Sequence, residues 1–168
     1  MKYYIAGNRG LVGSNYNTVV LNAVGGNTDT VDYSDATSTY AEFNRLDKTY
    51  GLPTHVVINA ATVGGLQEDL DLAYELMIKN LTIQNNIFNA CSEFGIDRVL
   101  LQGSTCSYPA EGIQPYTEDQ LMNGEPYKTY LPTAMPKLMG MYQCRAKNEK
   151  AGTHWRTAIN SNMFGPGD

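Results

Sequence analysis

Lys2-Tyr3-Tyr4-Ile5-Ala6-Gly7-Asn8-Arg9-Gly10-Leu11-Val12-Gly13-Ser14 is the stretch whose reading decides the fold. Tyr3 to Ala6 make a short apolar, aromatic run suited to a buried strand, and Gly7, Gly10 and Gly13 follow at three-residue spacing. The order is strand, glycine turn, helix. A pyrophosphate approaches the backbone only where no Cβ intervenes, and the first N–H groups of the following helix then point at its charge. A plain tight turn would also use spaced glycines. Their position directly after the apolar run is what points to a nucleotide.

Working outward, Ser14 to Ala23 is expected as the first helix, ended by Gly25-Gly26, and Thr28 to Tyr33 as the second strand. Ser34 or Asp35 would cap a helix running to Tyr50, with Tyr40, Phe43, Leu46 and Tyr50 on one face. His55 to Ala61 is read as one apolar run around Val56, Val57 and Ile58, as strands covered on both faces are in a parallel sheet, ending in the small residues Ala60 and Ala61. A long helix from Asp69 to Phe94 follows, then a strand from Arg98 to Gln102, a Pro- and Gly-rich loop from Ala110 to Tyr130, a helix from Lys137 to Lys150 and a last strand from Trp155 to Ile159. Strand alternating with helix predicts an α/β, Rossmann-like, doubly wound parallel sheet formed by one domain over 1–168. Gly7, Ala60, Ala61 and Ser104 would then converge at the carboxyl ends of the strands, where such sheets bind ligands.

The formal net charge is −5 with no compensating basic patch, which argues against nucleic acid or an anionic membrane as partner. No apolar run approaches the ~20 residues of a membrane span, and the first expected strand begins at Lys2, leaving no signal peptide. A cytoplasmic protein is expected. Cys91, Cys106 and Cys144 are odd in number and widely separated, as reduced thiols are, and His55 and His154 have no ligand-spaced partner, so no metal site is predicted.

Five segments, Ala6 to Ser14, Ala60 to Gly65, Asn80 to Asn86, Gly103 to Pro109 and Asn162 to Pro166, resemble the GDP-L-fucose synthase family in its own order. These are NADPH-dependent epimerase/reductases of the extended short-chain dehydrogenase/reductase superfamily. They convert GDP-4-keto-6-deoxy-D-mannose by two epimerisations followed by hydride transfer. The resemblance implies NADP as cofactor, held at the pyrophosphate by Gly7, Gly10, Leu11, Val12 and Gly13 and at the 2′-phosphate by Arg9. A guanidinium suits that phosphate as a bidentate donor. It places Asp32 near the adenine and Ala60, Ala61, Val63, Gly103, Ser161, Asn162 and Met163 along the cofactor. Ser104 matches the serine that binds the substrate ketone, Cys106 the acid/base thiol, and Lys137 the lysine that holds the nicotinamide ribose. A homodimer through the 69–94 helix is implied as well.

Departures from the family pattern accompany the likeness. The superfamily's catalytic Tyr-x-x-x-Lys would put tyrosine four residues before Lys137, where Thr133 stands. Loss of a positioned general acid costs ~10²- to 10⁴-fold in rate. Tyr130 lies seven before Lys137, but Pro132 and Pro136 intervene, and a proline inside a helix costs ~3 kcal/mol. Thr62 replaces a lysine, no second arginine is found for the 2′-phosphate, and the substrate domain with its histidine is expected to be largely missing. Two readings follow: an epimerase/reductase impaired in this chain, or a non-catalytic nucleotide-binding or interaction module. The sugar stays open, and NADP over NAD rests on Arg9.

Overall fold

Tyr4, Ile5 and Ala6 of strand β1 (Tyr3–Ala6) are fully buried, and the rest of the molecule is layered around that strand. In the computed structural model, residues 2–64 and 71–165 are described. After β1 come α1 (Leu11–Val19), β2 (Val24–Gly26), α2 (Ala36–Tyr50), β3 (His55–Ile58), α3 (Ala73–Glu93), β4 (Arg98–Gln102), α4 (Leu131–Ala151) and β5 (His154–Ala158). The five strands form one parallel sheet in the order β2-β1-β3-β4-β5. Right-handed crossovers then place α1 on one face and α2, α3 and α4 on the other.

Pleating sorts the side chains. Tyr4, Ala6, Val56, Ile58, Val99, Leu101 and Trp155 share one face of the sheet and enter a single core with Phe43 and Leu46 of α2, Ile83, Ile87 and Phe88 of α3, and Cys144 of α4. Burying a side chain of this size stabilises by about 1.5–3 kcal/mol, so this face carries most of the hydrophobic stabilisation. Trp155 anchors the far edge. Its ring lies 5.1 Å from that of Phe88, its indole N–H donates to the Ile96 carbonyl at 3.0 Å, and Asn148 pairs with its backbone N–H and C=O at 2.8 Å each.

The α/β class and the strand and helix sequence agree with the expectation, and several boundaries do not. The second strand is Val24–Gly26 rather than Thr28 to Tyr33, and α1 ends at Val19. Gly25-Gly26 therefore forms a strand instead of stopping a helix. A Cβ at Gly25 would collide with the Asn8 side chain, and one at Gly26 with the hydroxyls of Tyr4 and Tyr33, so glycine is required by neighbours distant in sequence. The last helix starts at Leu131, six residues before the expected Lys137. Pro132 sits in its first turn, where no N–H partner is needed, and Pro136 lies inside the helix with its ring fully buried. Finally, β3 ends at Ile58, which frees 59–61 to turn across the sheet edge. The expected helix start at Asp69 lies outside the described residues; within them α3 runs from Ala73.

Candidate functional site

The strand order reverses between β1 and β3, and at such a switch point loops leaving in opposite directions open a crevice at the carboxyl edge. The three glycines of the first turn have three separate tasks there. Gly7 takes φ +87°, a left-handed conformation that favours glycine, and a Cβ on it would lie 2.7 Å from the Ala60 backbone nitrogen. Gly13 packs α1 on the turn, since a Cβ would strike the Gly7 carbonyl oxygen. A Cβ on Gly10 would meet nothing closer than 3.8 Å, so the missing methyl leaves room facing the crevice.

Gly10 is also the N-cap of α1, and it offers no side chain to the first N–H groups, nor is there any carboxylate in the first turn. The helix thus presents unpaired donors and the positive end of its dipole to whatever fills that space. The turn is held in place by the Gly26 carbonyl, which accepts from Gly7 N–H at 2.8 Å and Asn8 N–H at 3.2 Å, and by Asn27 Nδ2 donating to Asn8 Oδ1 at 3.0 Å.

Two cavities adjoin this turn. The inner one, about 680 Å³, is lined by Gly7 and by Gly10, Leu11, Val12 and Gly13, with Ala60, Ala61 and Val63 opposite. Gly103, Ser104, Cys106, Thr133, Lys137 and Met163 complete the sequence-predicted residues on its walls. The outer one, about 470 Å³, has Gly7, Gly10, Ala60 and Ala61 in common with the first and adds Arg9 and Asp32. Of the predicted set only Ser161 and Asn162 line neither: Ser161 is exposed on the exit from β5, and Asn162 faces an adjoining groove beside α1.

On the inner wall the hydroxyls differ in what they have left to give. Ser104 Oγ accepts from Cys106 N–H at 3.1 Å, capping the turn Thr105–Ser107, and keeps its own proton available. Thr133 Oγ1 donates its proton to the Tyr130 carbonyl at 3.1 Å, so that proton is committed to the backbone. Lys137 is part-buried with no carboxylate paired to it among the described residues, and burial lowers its pKa from 10.5 to about 8. Tyr130, the N-cap of α4, brings a phenol to the same cavity. The prolines do not break the helix between Tyr130 and Lys137, contrary to expectation; at 1.5 Å rise per residue the two stand about 10 Å apart along the axis.

Several residues of the site escaped the sequence reading. Asn80 of α3 clamps the 60–64 loop, its Oδ1 accepting from Thr62 N–H at 2.7 Å and its Nδ2 donating to Thr62 C=O at 2.9 Å. Gln84, one helical turn later, lines the inner cavity and donates to Gln143 Oε1 of α4 at 3.0 Å. Both interrupt the apolar stripe that includes Leu76, Ile83 and Ile87, and a polar residue at a core-period position was the available signal. Lys79 lines the outer cavity beside Arg9 and Asp32, a second cation where no second arginine was found. Asp32 accepts from Ser34 N–H at 2.9 Å and Ser34 Oγ at 2.6 Å, and those bonds hold its carboxyl below the usual range. The carboxylate paired with Arg9 is instead Asp29.

A parallel sheet of this order with a glycine turn at its switch point and cavities on both sides of that turn defines a dinucleotide-binding α/β fold. The sequence pattern of the NAD dependent epimerase/dehydratase family matches residues 3–168, and the chain belongs to that family. It is 28% identical to the GDP-L-fucose synthase of Escherichia coli (strain K12) over 174 residues, covering 99% of this chain and 52% of that protein. It is 31% identical to the probable GDP-L-fucose synthase 1 of Oryza sativa subsp. japonica over 171 residues, 99% of this chain and 51% of that protein. The crystal structure of a GDP-L-fucose synthetase from Naegleria fowleri bound to NADP superposes with a TM-score of 0.87 at 28% identity, covering 98% of this chain and 51% of that one. The chain thus spans about half the length of the relatives it matches.

Proposed function

We propose that residues 1–168 form one NADP-binding domain of a GDP-L-fucose synthase-like epimerase/reductase acting on a GDP-4-keto-6-deoxy-hexose such as GDP-4-keto-6-deoxy-D-mannose. The observation that carries this reading is the place of Gly10. Gly10 lines both cavities, heads α1 with no side-chain cap, and a Cβ there would meet no atom closer than 3.8 Å, so the amino end of α1 is open to a ligand where the two cavities meet. The relatives named GDP-L-fucose synthase and the NADP-bound synthetase support the cofactor and the substrate class.

The pyrophosphate would lie against Gly7 to Gly13, the adenosine half in the outer cavity near Arg9 and the nicotinamide half in the inner cavity near Lys137. When bound, the reduced cofactor supplies the hydride. Ser104, with its proton free, would donate to the ketone oxygen and polarise it, and Cys106 on the same wall would exchange the proton at the epimerised carbons. Lys137, with its pKa lowered, would donate to ribose hydroxyls. The remaining proposals are a homodimer through α3, whose Tyr74 and Ile78 are exposed, and a cytoplasmic location.

A second reading, a nucleotide-binding module without reductase turnover, is favoured by one observation: Thr133 gives its proton to the Tyr130 carbonyl and supplies no acid beside Lys137. Calorimetric titration with NADPH and NADH tests what the two readings share, and turnover with the keto-sugar nucleotide separates them. Micromolar NADPH binding with steady NADPH consumption supports the enzyme; binding without consumption supports the module. No binding of either nucleotide would overturn both.

A further inference from the structure

Among the described residues that line the inner cavity, Tyr130 carries the one phenol, on the wall it shares with Ser104, Cys106, Thr133 and Lys137. Its backbone is fully used in opening α4: the carbonyl accepts from Thr133 Oγ1 at 3.1 Å, and the N–H donates to the Tyr127 carbonyl at 2.8 Å. Its hydroxyl, by contrast, makes no hydrogen bond among the described residues, so the phenol proton is free. The rings of Tyr127 and Tyr130 meet edge to face, with centroids 6.3 Å apart and planes at 82°, which braces the Tyr130 ring without engaging its oxygen. The residue is 39% exposed and therefore touches both solvent and cavity. Seven residues come within about 20° of two full helical turns, so Tyr130 and Lys137 lie on the same face of α4 with Thr133 between them. Side chains tilt toward the amino end of a helix, so Lys137 leans back along that face toward the phenol.

We propose that Tyr130 is the proton donor to the substrate ketone, acting from one helical turn before the position where the family's tyrosine would stand. This rests on the reading of the chain as a keto-sugar nucleotide reductase. When bound, the reduced cofactor supplies hydride to the carbonyl carbon and is left oxidised. The π pair of the carbonyl then resides on oxygen, which takes the proton of Tyr130 Oη and becomes the alcohol; the phenolate recovers a proton from solvent through its exposed side. The other groups on the wall do not fill this role. Thr133 has given its proton to the Tyr130 carbonyl, and Ser104 is an aliphatic alcohol, which can hydrogen-bond the ketone oxygen but is a far weaker acid than a phenol. Lys137 contributes in a different way, since a cation on the same face favours the phenolate that proton transfer leaves behind. The loss of tyrosine at 133 thus moves the acid along the helix instead of removing it.

The test follows NADPH consumption with GDP-4-keto-6-deoxy-D-mannose in the wild-type chain and in Tyr130→Phe, with calorimetric titration of NADPH and circular dichroism on both. Tyr130→Phe keeps the ring and removes only an oxygen that bonds to nothing in the fold, so NADPH affinity should change by less than about twofold. Its kcat should fall by about 10²- to 10⁴-fold with KM little changed, the mark of a group that acts only in the transition state. Turnover by Tyr130→Phe within about threefold of wild type, or a loss confined to KM, to NADPH affinity or to folding, would overturn the role given to Tyr130 and leave the reductase reading standing. A wild-type chain that binds NADPH without consuming it, or binds none, would overturn the reductase reading itself, and this inference with it.

Discussion

The two ends of the inner cavity are built from different materials. At the end formed by the glycine turn the lining is set by backbone atoms, fixed by Gly7 at φ +87° and by the collision any Cβ on Gly13 would cause. At the α4 end they are side chains, Thr133 and Lys137 among them, carried on a helix that runs unbroken from Leu131 to Ala151. The difference teaches where a member of this fold can change its chemistry. A Cβ on Gly7 or Gly13 disturbs the fold itself, whereas under the proposed function the side chains at the start of α4 bear on the chemistry.

Gly7→Val is the most severe way to challenge that contrast. It places a β-branched residue in a left-handed conformation with its Cβ 2.7 Å from the Ala60 backbone nitrogen, and both the turn and the 59–61 loop must shift. Strain at one such residue costs about 1–3 kcal/mol, and displacement of packed backbone should bring the total to about 3–5 kcal/mol. Urea unfolding measures it. A loss below about 1 kcal/mol would mean the turn is softer than its contacts indicate.

Asn80→Ala should cost less, about 2 kcal/mol, by leaving the Thr62 N–H and C=O without their partners. Asn80→Asp keeps the acceptor for Thr62 N–H and loses the donor, so its unfolding midpoint should fall between those of the alanine variant and the wild type. Equal midpoints for Asn80→Ala and wild type would show that the clamp does not contribute to stability.

The α4 end makes the opposite prediction, that a site residue destabilises the fold. The pKa of Lys137 is about 8 folded against 10.5 in its ordinary state, so between these values the unfolded chain binds its proton more tightly. The stability contributed by this group therefore rises as pH increases from 8 to 10.5, and its penalty is fully present below 8. Because the side chain is only part-buried, Lys137→Met should stabilise by a discounted amount, about 1–2 kcal/mol at pH 7, and the gap to wild type should close through that window. Burial also raises the Cys91 thiol, and since an unfolded thiol ionises near pH 9 this opposes the lysine's trend in both proteins. The difference between the two stability curves is accordingly the quantity to measure. A gap that stays constant from pH 7 to 10.5 would show that the lysine is not depressed.

What could be read in the sequence follows the same division. The glycine turn, the strand at His55–Ile58 and the capping Asp35, whose carboxylate accepts from Thr37 and Ser38 N–H groups, obey local rules of spacing and residue type. The second strand was misplaced because a glycine pair normally ends an element, and nothing near it in sequence shows that Asn8, Tyr4 and Tyr33 fill the space above it. The start of α4 was misplaced for a related reason: a proline penalty is a local rule, and the burial of the Pro132 and Pro136 rings is a tertiary contribution set against it. Of the site, the residues set by the backbone turn were legible. Asn80 owes its role to its bonds with Thr62, and Lys79 its place beside Arg9 to the packing of α3, neither of which spacing along the chain records.

Gly10→Ala should have the smallest effect on stability and sharpens the contrast most. Gly10 has φ −67° and ψ 167°, a conformation alanine adopts readily, and its Cβ would find no atom closer than 3.8 Å. As an N-cap, glycine is preferred to alanine by about 1 kcal/mol, and the lower entropy of an unfolded chain carrying alanine offsets part of that, so the unfolding free energy should fall by less than about 1 kcal/mol. The new methyl would stand where the pyrophosphate must approach the free N–H groups of α1, and NADPH and NADH affinity should fall together, by tenfold or more. Gly7→Val and Gly10→Ala thus separate, within one turn, the glycine the fold requires from the glycine the ligand requires. If Gly10→Ala leaves both affinities unchanged, the nucleotide does not lie against the amino end of α1, and the reading of the crevice loses the observation that carries it.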